Sequence, residues 1–124
     1  MTVTVLVTGS RDWAEPKRII RDLTMLYEAA DGDMVVMEGG ARGADRIARE
    51  WAMGMDEVTS ITIPANWDRD GRAAGPIRNK LMLELVLKAA SDSTVVLAYP
   101  LPGGKGTKHM MKIAEEAGLL VVAN

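Results

Sequence analysis

The sequence predicts an α/β domain spanning residues 1–124, in which a mostly parallel, five-stranded sheet carries helices on both faces. Two kinds of apolar segment alternate along the chain: short runs rich in β-branched residues, and longer segments whose apolar residues recur at helical spacing. No internal repeat, low-complexity tract or linker interrupts this alternation. Such an alternation favours a doubly wound, Rossmann-like fold, because parallel strands need crossover helices between them.

Five short apolar runs predict the strands. Each is five or six residues long and rich in β-branched or aliphatic residues, as is typical of strands buried within a sheet. The runs are residues 3–8, 34–38, 58–63, 94–99 and 119–123.

Three of the segments between these runs carry one apolar stripe at helical spacing, which predicts amphipathic helices. Pro16 suits the first turn of a helix, and Gly32 and Gly118 stand where two of the helices should stop. The stripes extend over residues 19–30, 44–55 and 110–117.

A further helix, assigned to residues 76–90, is apolar on two sides. It therefore needs two partners, which are either two parts of its own domain or one part and a second copy of the chain. The sequence does not decide between these alternatives. If the protein has a protein partner, we expect it to be a second copy of the chain, in a homodimer formed through this helix. Its two apolar faces comprise Ile77, Leu81, Met82 and Leu85, and Leu83, Val86 and Leu87.

Composition excludes several classes of function. Cysteine is absent and histidine occurs once, which rules out disulfides and thiolate chemistry and argues against a metal site; no cofactor is expected. The net charge of -2 argues against nucleic acid as a partner. No apolar run approaches the roughly 20 residues that cross a bilayer, and the amino terminus has no signal-type leader. We therefore expect a cytoplasmic protein without a membrane partner.

Four loops follow the first four predicted strands, and they hold the most unusual residues of the chain. In a doubly wound fold, ligands bind beyond the carboxyl ends of the strands, where these loops should meet. Any one of them could be an ordinary turn, but their shared position predicts a ligand site. They read GSRDW at 9–13, EGGARGAD at 38–45, PANWDRDGRAAGPIRN at 64–79 and YPLPGGKGT at 99–107.

The two glycine-rich loops predict a phosphate site. Glycine lets a ligand approach bare backbone, and the following helix begins with unpaired amides and the positive end of its dipole. A Walker loop is excluded, because Tyr99 stands at its first glycine and Gly106 at its Ser or Thr. The dinucleotide fingerprint is also missing after the first strand. The cradle comprises Pro102, Gly103, Gly104, Lys105, Gly106 and Thr107, and its facing wall Gly39, Gly40 and Gly43.

The four motifs in this order resemble the SLOG superfamily and, within it, the small single-domain branch related to YspA. The resemblance covers nearly the whole chain. It implies a Rossmann-like fold shared with the LOG cytokinin-activating phosphoribohydrolases and the DprA DNA-processing proteins. It also implies a pocket for nucleotides or molecules derived from them.

The same resemblance identifies candidate catalytic residues. LOG enzymes carry PGGxGTxxE, whose glutamate acts with an arginine from another loop when the base is cleaved from ribose 5-phosphate. In this chain Met110 stands at the glutamate position, and Arg78 resembles the arginine. A carboxylate from another loop could replace the glutamate; Glu38 and Asp45 are the first candidates, followed by Asp12 and Asp68. The alternative for Asp45 is a capping or structural role, and for Glu38 a paired structural role.

The remaining candidates for ligand binding are polar or aromatic residues of the same loops. Arginines there could hold phosphate oxygens with paired donors, or form surface salt bridges. Trp13 and Trp67 could stack on a base or pack their loops against the scaffold, and we expect packing for at least one of them. His109 lies beside the cradle; it could touch a phosphate, but we expect it to occupy an exposed position on the helix. The other candidates are Gly9, Ser10, Arg11, Arg42, Arg72, Arg78 and Asn79.

These observations favour a protein that binds or senses a nucleotide or a nucleotide-derived phosphorylated small molecule. One alternative is a hydrolase of an N-glycosidic or phosphate bond, which would need Glu38 or Asp45 as a functional carboxylate. The other is DprA-like binding of single-stranded DNA, against which the acidic charge balance and the scarcity of aromatic residues argue.

Overall fold

A computed structural model describes residues 1–124 and places five strands in one sheet of order β3-β2-β1-β4-β5, in which every pair of neighbours is parallel. Each strand begins and ends within one residue of its predicted bounds, so the α/β, Rossmann-like fold is confirmed. The strands are β1 (Val3–Gly9), β2 (Met34–Glu38), β3 (Val58–Thr62), β4 (Ser93–Tyr99) and β5 (Leu120–Ala123).

The helices differ more from their predicted bounds than the strands do. The helix predicted over 76–90 begins two residues earlier, because Pro76 is tolerated in a first turn, where its missing amide has no intrahelical partner to lose. A one-turn helix and a 3-10 turn (Gly71–Ala73) precede it, and periodicity does not reveal elements of that length. The helices are α1 (Pro16–Ala30), α2 (Ala44–Met53), α3 (Trp67–Asp70), α4 (Ala74–Lys88) and α5 (Lys105–Glu116).

The helices form two layers, one on each face of the sheet. On one face, α1 and α2 bury Ile19, Leu23 and Ala48 against Val5 and other residues of the sheet. On the opposite face, α4 and α5 pack against residues that alternate with these along the strands. The second core cluster comprises Leu6, Met37, Met82, Val86, Val96, Met110 and Ala114. The sheet is therefore buried on both faces, as a doubly wound fold requires.

The two faces of α4 are not the two that the sequence predicts. Met82 and Val86, assigned to opposite faces, are buried together, because residues four apart lie on the same side of a helix. Ile77, Leu81 and Leu85 are exposed instead. Helix α4 therefore has one apolar face packed against the sheet and a second apolar face exposed to solvent.

Chain order creates a crevice at one edge of the sheet. From β1 the chain winds outwards to β3, and it then crosses back to β4, which pairs with the other side of β1. The connections that leave β1 and β4 therefore run to opposite faces, and the gap between them is where doubly wound proteins bind ligands. None of the helices combines the length and the apolar character needed to cross a membrane.

Candidate functional site

A cleft of about 880 Å³ opens at the carboxyl ends of β1 and β4. This volume lies within the range of small-molecule sites, which is about 300–1,000 Å³. Three chain segments form its walls: the loop after β1, the segment from α3 into α4, and the loop from β4 into α5.

The floor of the cleft is the end of β1, where the backbone packs tightly against its neighbours. A Cβ atom on Gly9 would lie 2.6 Å from the Cβ of Ala44 and 2.9 Å from the Cβ of Tyr99. The next residue, Ser10, donates its amide to the Tyr99 carbonyl over 2.9 Å. Glycine at position 9 thus allows β1, α2 and β4 to converge below the site.

The loop from β4 into α5 presents open backbone to the cleft. Helix α5 begins directly after Gly104, and no side chain caps its first turn. The φ of Gly103 is +85°, a conformation that favours glycine. A Cβ atom on Gly106 would meet no other atom within 4 Å, so neither packing nor backbone conformation explains that glycine. The first amides of a helix lack intrahelical acceptors, and here they border the cleft. This helix start has the properties of an anion site.

A chain of hydrogen bonds joins α4 to α5 and to the loop after β2. The Arg78 guanidinium donates to the Gly39 carbonyl over 2.6 Å and to the Asn79 Oδ1 over 3.0 Å. The Asn79 Nδ2 lies 3.2 Å from the Gly106 carbonyl oxygen and 3.1 Å from the His109 Nδ1. Burial lowers the pKa of Arg78, whereas the negative charge of Asp45 opposes that shift. Arg78 and Asn79 therefore fix the position of α5 relative to the loop after β2.

Asp45, in the first turn of α2, is a buried carboxylate that lines the cleft. Its Oδ2 accepts the Gly39 amide over 3.1 Å and the Ala41 amide over 3.3 Å, which holds the turn between β2 and α2. Burial raises the pKa of Asp45 to about 6, against the lowering effect of the hydrogen bond from Ala41, and the charge of Glu38 adds to the rise. Asp45 can therefore exchange a proton near neutral pH.

Glu38, at the end of β2, is fully buried but does not line the cleft. Its Oε1 accepts the Gly40 amide over 2.7 Å, and the Thr62 hydroxyl donates to its Oε2. Both Glu38 oxygens are therefore bonded inside the protein, which favours the paired structural alternative over a catalytic one.

An exposed aromatic ring and several cations surround the opening. The Arg11 Cζ lies 5.7 Å from the centroid of the Trp67 ring, a cation–π contact, and Trp67 is 49% exposed. Four basic side chains line the cleft against two acidic ones, although the whole chain is acidic. They are Arg11, Arg72, Arg78 and Lys105, against Asp12 and Asp45. The cleft is thus a local cationic site.

Most of the residues that the sequence singles out lie along this cleft. The exceptions are Glu38 and residues of the loop after β2, together with one tryptophan. Those lining it are Gly9, Ser10, Arg11, Asp45, Trp67, Arg72, Arg78, Asn79, Pro102, Gly103, Gly104, Lys105, Gly106 and Thr107. Those outside it are Trp13, Glu38, Gly39, Gly40, Arg42 and Gly43.

Trp13 belongs to the core and is not part of the cleft. Only 7% of it is exposed, its ring centroid lies 5.2 Å from that of Tyr99, and its Nε1 donates to the Glu15 carbonyl. Of the two predicted stacking residues, Trp13 therefore packs its loop against the scaffold, and only Trp67 is available to a ligand.

The loop after β2 supports the site from behind and does not form its facing wall. A Cβ atom on Gly43, whose φ is +76°, would lie 2.4 Å from the Ser10 carbonyl oxygen, so this glycine lets the loop pack against the loop after β1. Arg42 reaches Asp12 over 3.4 Å at the surface, the salt-bridge alternative for that arginine. Only Ala41 and Asp45 of this stretch reach the cleft.

Some residues that the sequence does not assign to ligand binding also line the cleft. His109 was expected in solvent; it lies in the second turn of α5, is half-buried and faces the cleft. The signal that could have found it is its spacing, four residues after Lys105 on the same side of the helix. Asp12, a second-rank carboxylate candidate, also lines the cleft, whereas Asp68 does not. The other lining residues are Val7, Thr8, Ala41, Gly75, Pro76, Met82 and Leu101.

Met110, at the position of the LOG glutamate, is fully buried in the core between α5 and the sheet. Its side chain does not line the cleft. No catalytic carboxylate is therefore supplied from this position.

Two comparisons relate the chain to known proteins. The model of the YspA, cpYpsA-related SLOG family matches residues 3–69. The chain is also similar to the Gene 61 protein of Mycobacterium phage D29, with 40% identity over 122 residues, which cover 95% of this chain and 93% of the phage protein.

Proposed function

This chain belongs to the YspA, cpYpsA-related SLOG family, and we propose that it binds a phosphorylated nucleoside or a molecule derived from one. Family membership suggests a function related to nucleotides. The observation that carries the finer proposal is the convergence, in one cleft, of the open start of α5, several arginines and an exposed indole.

Each part of the ligand has a matching part of the cleft. The uncapped amides of α5 suit phosphate oxygens because the helix holds them as unpaired donors at its positive end. The guanidinium of Arg72 suits them because it donates charge-assisted hydrogen bonds. The ring of Trp67 offers a face for a base, and Arg11 lies over that ring. The volume of about 880 Å³ holds a nucleotide together with bound water.

Equilibrium calorimetry tests the proposal by comparing AMP with adenosine, CMP with cytidine, and ADP-ribose with adenosine. We expect one phosphorylated ligand to bind at least tenfold more tightly than its counterpart, because charge-assisted hydrogen bonds are worth about 1.5–3 kcal/mol. Arg72→Ala should remove most of that difference. Arg46→Ala, an exposed arginine of α2 outside the cleft, is the matched control and should leave it unchanged. Equal affinity for both members of every pair would overturn the phosphate assignment.

Hydrolysis of the ligand is a second candidate function, and Asp45 is the observation that favours it. This carboxylate lines the cleft near Arg78, and its pKa of about 6 suits proton transfer at neutral pH. Incubation of the same nucleotides, followed by product analysis, separates the two functions. If the parent protein releases free base or phosphate and the Asp45→Asn variant does not, the protein is an enzyme. If the nucleotides are recovered intact, it is a binding protein.

A further inference from the structure

The single histidine of the chain, His109, contacts Asn79, and this contact determines which of its ring nitrogens carries the hydrogen. Its partner, Asn79, is 3% exposed and contacts Arg78, Gly106 and His109. A guanidinium can only donate hydrogen bonds and a carbonyl oxygen can only accept them. The Arg78 Nε at 3.0 Å therefore requires the amide oxygen of Asn79, and the Gly106 carbonyl at 3.2 Å requires its amide nitrogen. Two independent neighbours thus set the same orientation of the Asn79 amide.

This orientation determines the tautomer of His109. The Asn79 Nδ2 carries a second hydrogen, and the His109 Nδ1 lies 3.1 Å away. Because an amide nitrogen is only a donor, Nδ1 must accept, and a ring nitrogen accepts only when it carries no proton. The neutral ring therefore bears its hydrogen on Nε2.

The surroundings also oppose protonation of the ring. A proton on Nδ1 would face the Asn79 amide hydrogen, and rotation of that amide would break its bonds to Arg78 and Gly106. Burial lowers the pKa of His109, and the positive charges of Lys80 on α4 and Lys112 on α5 lower it further. His109 is therefore a neutral donor, whose free N–H belongs to the nitrogen that Asn79 does not occupy.

We propose that His109 binds a phosphoryl oxygen of the ligand through its Nε2–H, and that Asn79 is the positioning residue that holds it in this tautomer. The inference rests on the proposed function for the class of ligand. His109 lines the cleft one turn after the open start of α5, beside Lys105 and Gly106. A neutral N–H donor there adds to the helix amides without placing another positive charge next to Lys80 and Lys112.

The tautomer can be measured directly, because ¹⁵N-labelled protein contains one imidazole ring. Long-range ¹H–¹⁵N correlation spectra of the free protein at pH 8, where the ring is neutral, should show a protonated Nε2 and an unprotonated Nδ1. Asn79→Asp should move the hydrogen to Nδ1, because a carboxylate accepts where the amide donates. A ring protonated at Nδ1, or a mixture of tautomers in the parent protein, would overturn the assignment.

Binding is then followed by the same signal and by affinity. On titration with inorganic phosphate or AMP, the Nε2 resonance should shift, and His109→Leu should weaken AMP binding about fivefold, the effect of one neutral hydrogen bond. His109→Gln, which keeps an N–H at a similar distance, should restore most of the affinity. Lys108→Leu, at the neighbouring exposed position outside the cleft, is the control and should change affinity less than twofold.

The two proposals fail in different ways. If calorimetry shows that a nucleotide binds while the Nε2 resonance stays unchanged, the role of His109 is wrong and the proposed function stands. If no nucleotide binds, the proposed function is wrong, and the phosphate contact of His109 is overturned with it. A shift of Nε2 that matches the calorimetric affinity supports both.

Discussion

At the scale of single residues, Asp45 combines a structural contact with a titratable group in the cleft. Its Oδ2 receives two backbone amides, which accounts for its place at the turn before α2. Burial nevertheless raises its pKa to about 6, from 3.8. The folded protein therefore binds this proton more tightly than the unfolded chain does. Its favourable contribution to stability is complete below about pH 4 and is lost as the pH rises through about 6.

Asp45→Asn should remove this pH dependence, because the amide oxygen can still accept the two N–H groups and carries no charge. The free energy of unfolding of the variant, minus that of the parent, should increase by about 2–3 kcal/mol between pH 4 and pH 7. Urea denaturation of both proteins at several pH values measures it. Asp68→Asn, the same substitution at an exposed carboxylate, is the matched control. A difference for Asp45→Asn that stays constant would show that ionised Asp45 is well solvated.

At the scale of elements, two glycines serve opposite purposes. Gly9 lets the end of β1 approach α2 and β4, so its place is set by packing inside the protein. Gly104 stands before α5 with φ at −75°, and a Cβ atom there would contact only the Leu101 carbonyl oxygen, at 3.4 Å. Folding therefore does not require glycine at position 104. A ligand that approaches the amides at the start of α5 would require it, because a side chain there would cover them.

Gly104→Val and Gly9→Ala should separate binding from stability. We expect Gly104→Val to change the free energy of unfolding by less than about 1 kcal/mol and to weaken AMP binding at least tenfold, because its methyl groups cover the start of α5. Gly9→Ala should destabilise the protein by about 1–3 kcal/mol, the usual effect of overpacking. Urea denaturation and calorimetry measure the two effects. If Gly104→Val binds AMP as the parent does, the anion site is not at this helix start.

At the scale of the whole molecule, the exposed face of α4 bears on assembly. Ile77, Leu81 and Leu85 form a stripe at intervals of four residues and are 39–45% exposed. Lys80, Glu84 and Lys88 flank the stripe with alternating charge. A stripe of this kind is self-complementary, since a second copy with its α4 antiparallel would bury the same residues. We propose that the protein forms a homodimer through α4.

Leu81→Glu should convert the dimer into a monomer, because it buries a charge at the centre of the contact. Light scattering coupled to gel filtration measures the mass. Leu120→Glu, on the edge strand β5 and 64% exposed, is the matched control and should leave the mass unchanged. A parent protein that is monomeric at micromolar concentration, or a Leu81→Glu variant that remains dimeric, would contradict the α4 interface.

The sequence by itself determined the strands, four of the five helices and the edge of the sheet at which the glycine-rich loops meet. These follow from local periodicity and from the crossover rule for parallel strands, both of which operate within a few residues or between successive elements. The tertiary structure alone decided which loop residues enter the cleft. Trp13 and Trp67 both follow strands at the same rim, but Trp13 is packed in the core against Tyr99, whereas Trp67 is 49% exposed. Burial and long-range partners likewise decided the surroundings of Glu38, Asp45 and His109, because the pKa and orientation of a side chain depend on neighbours that are distant in sequence.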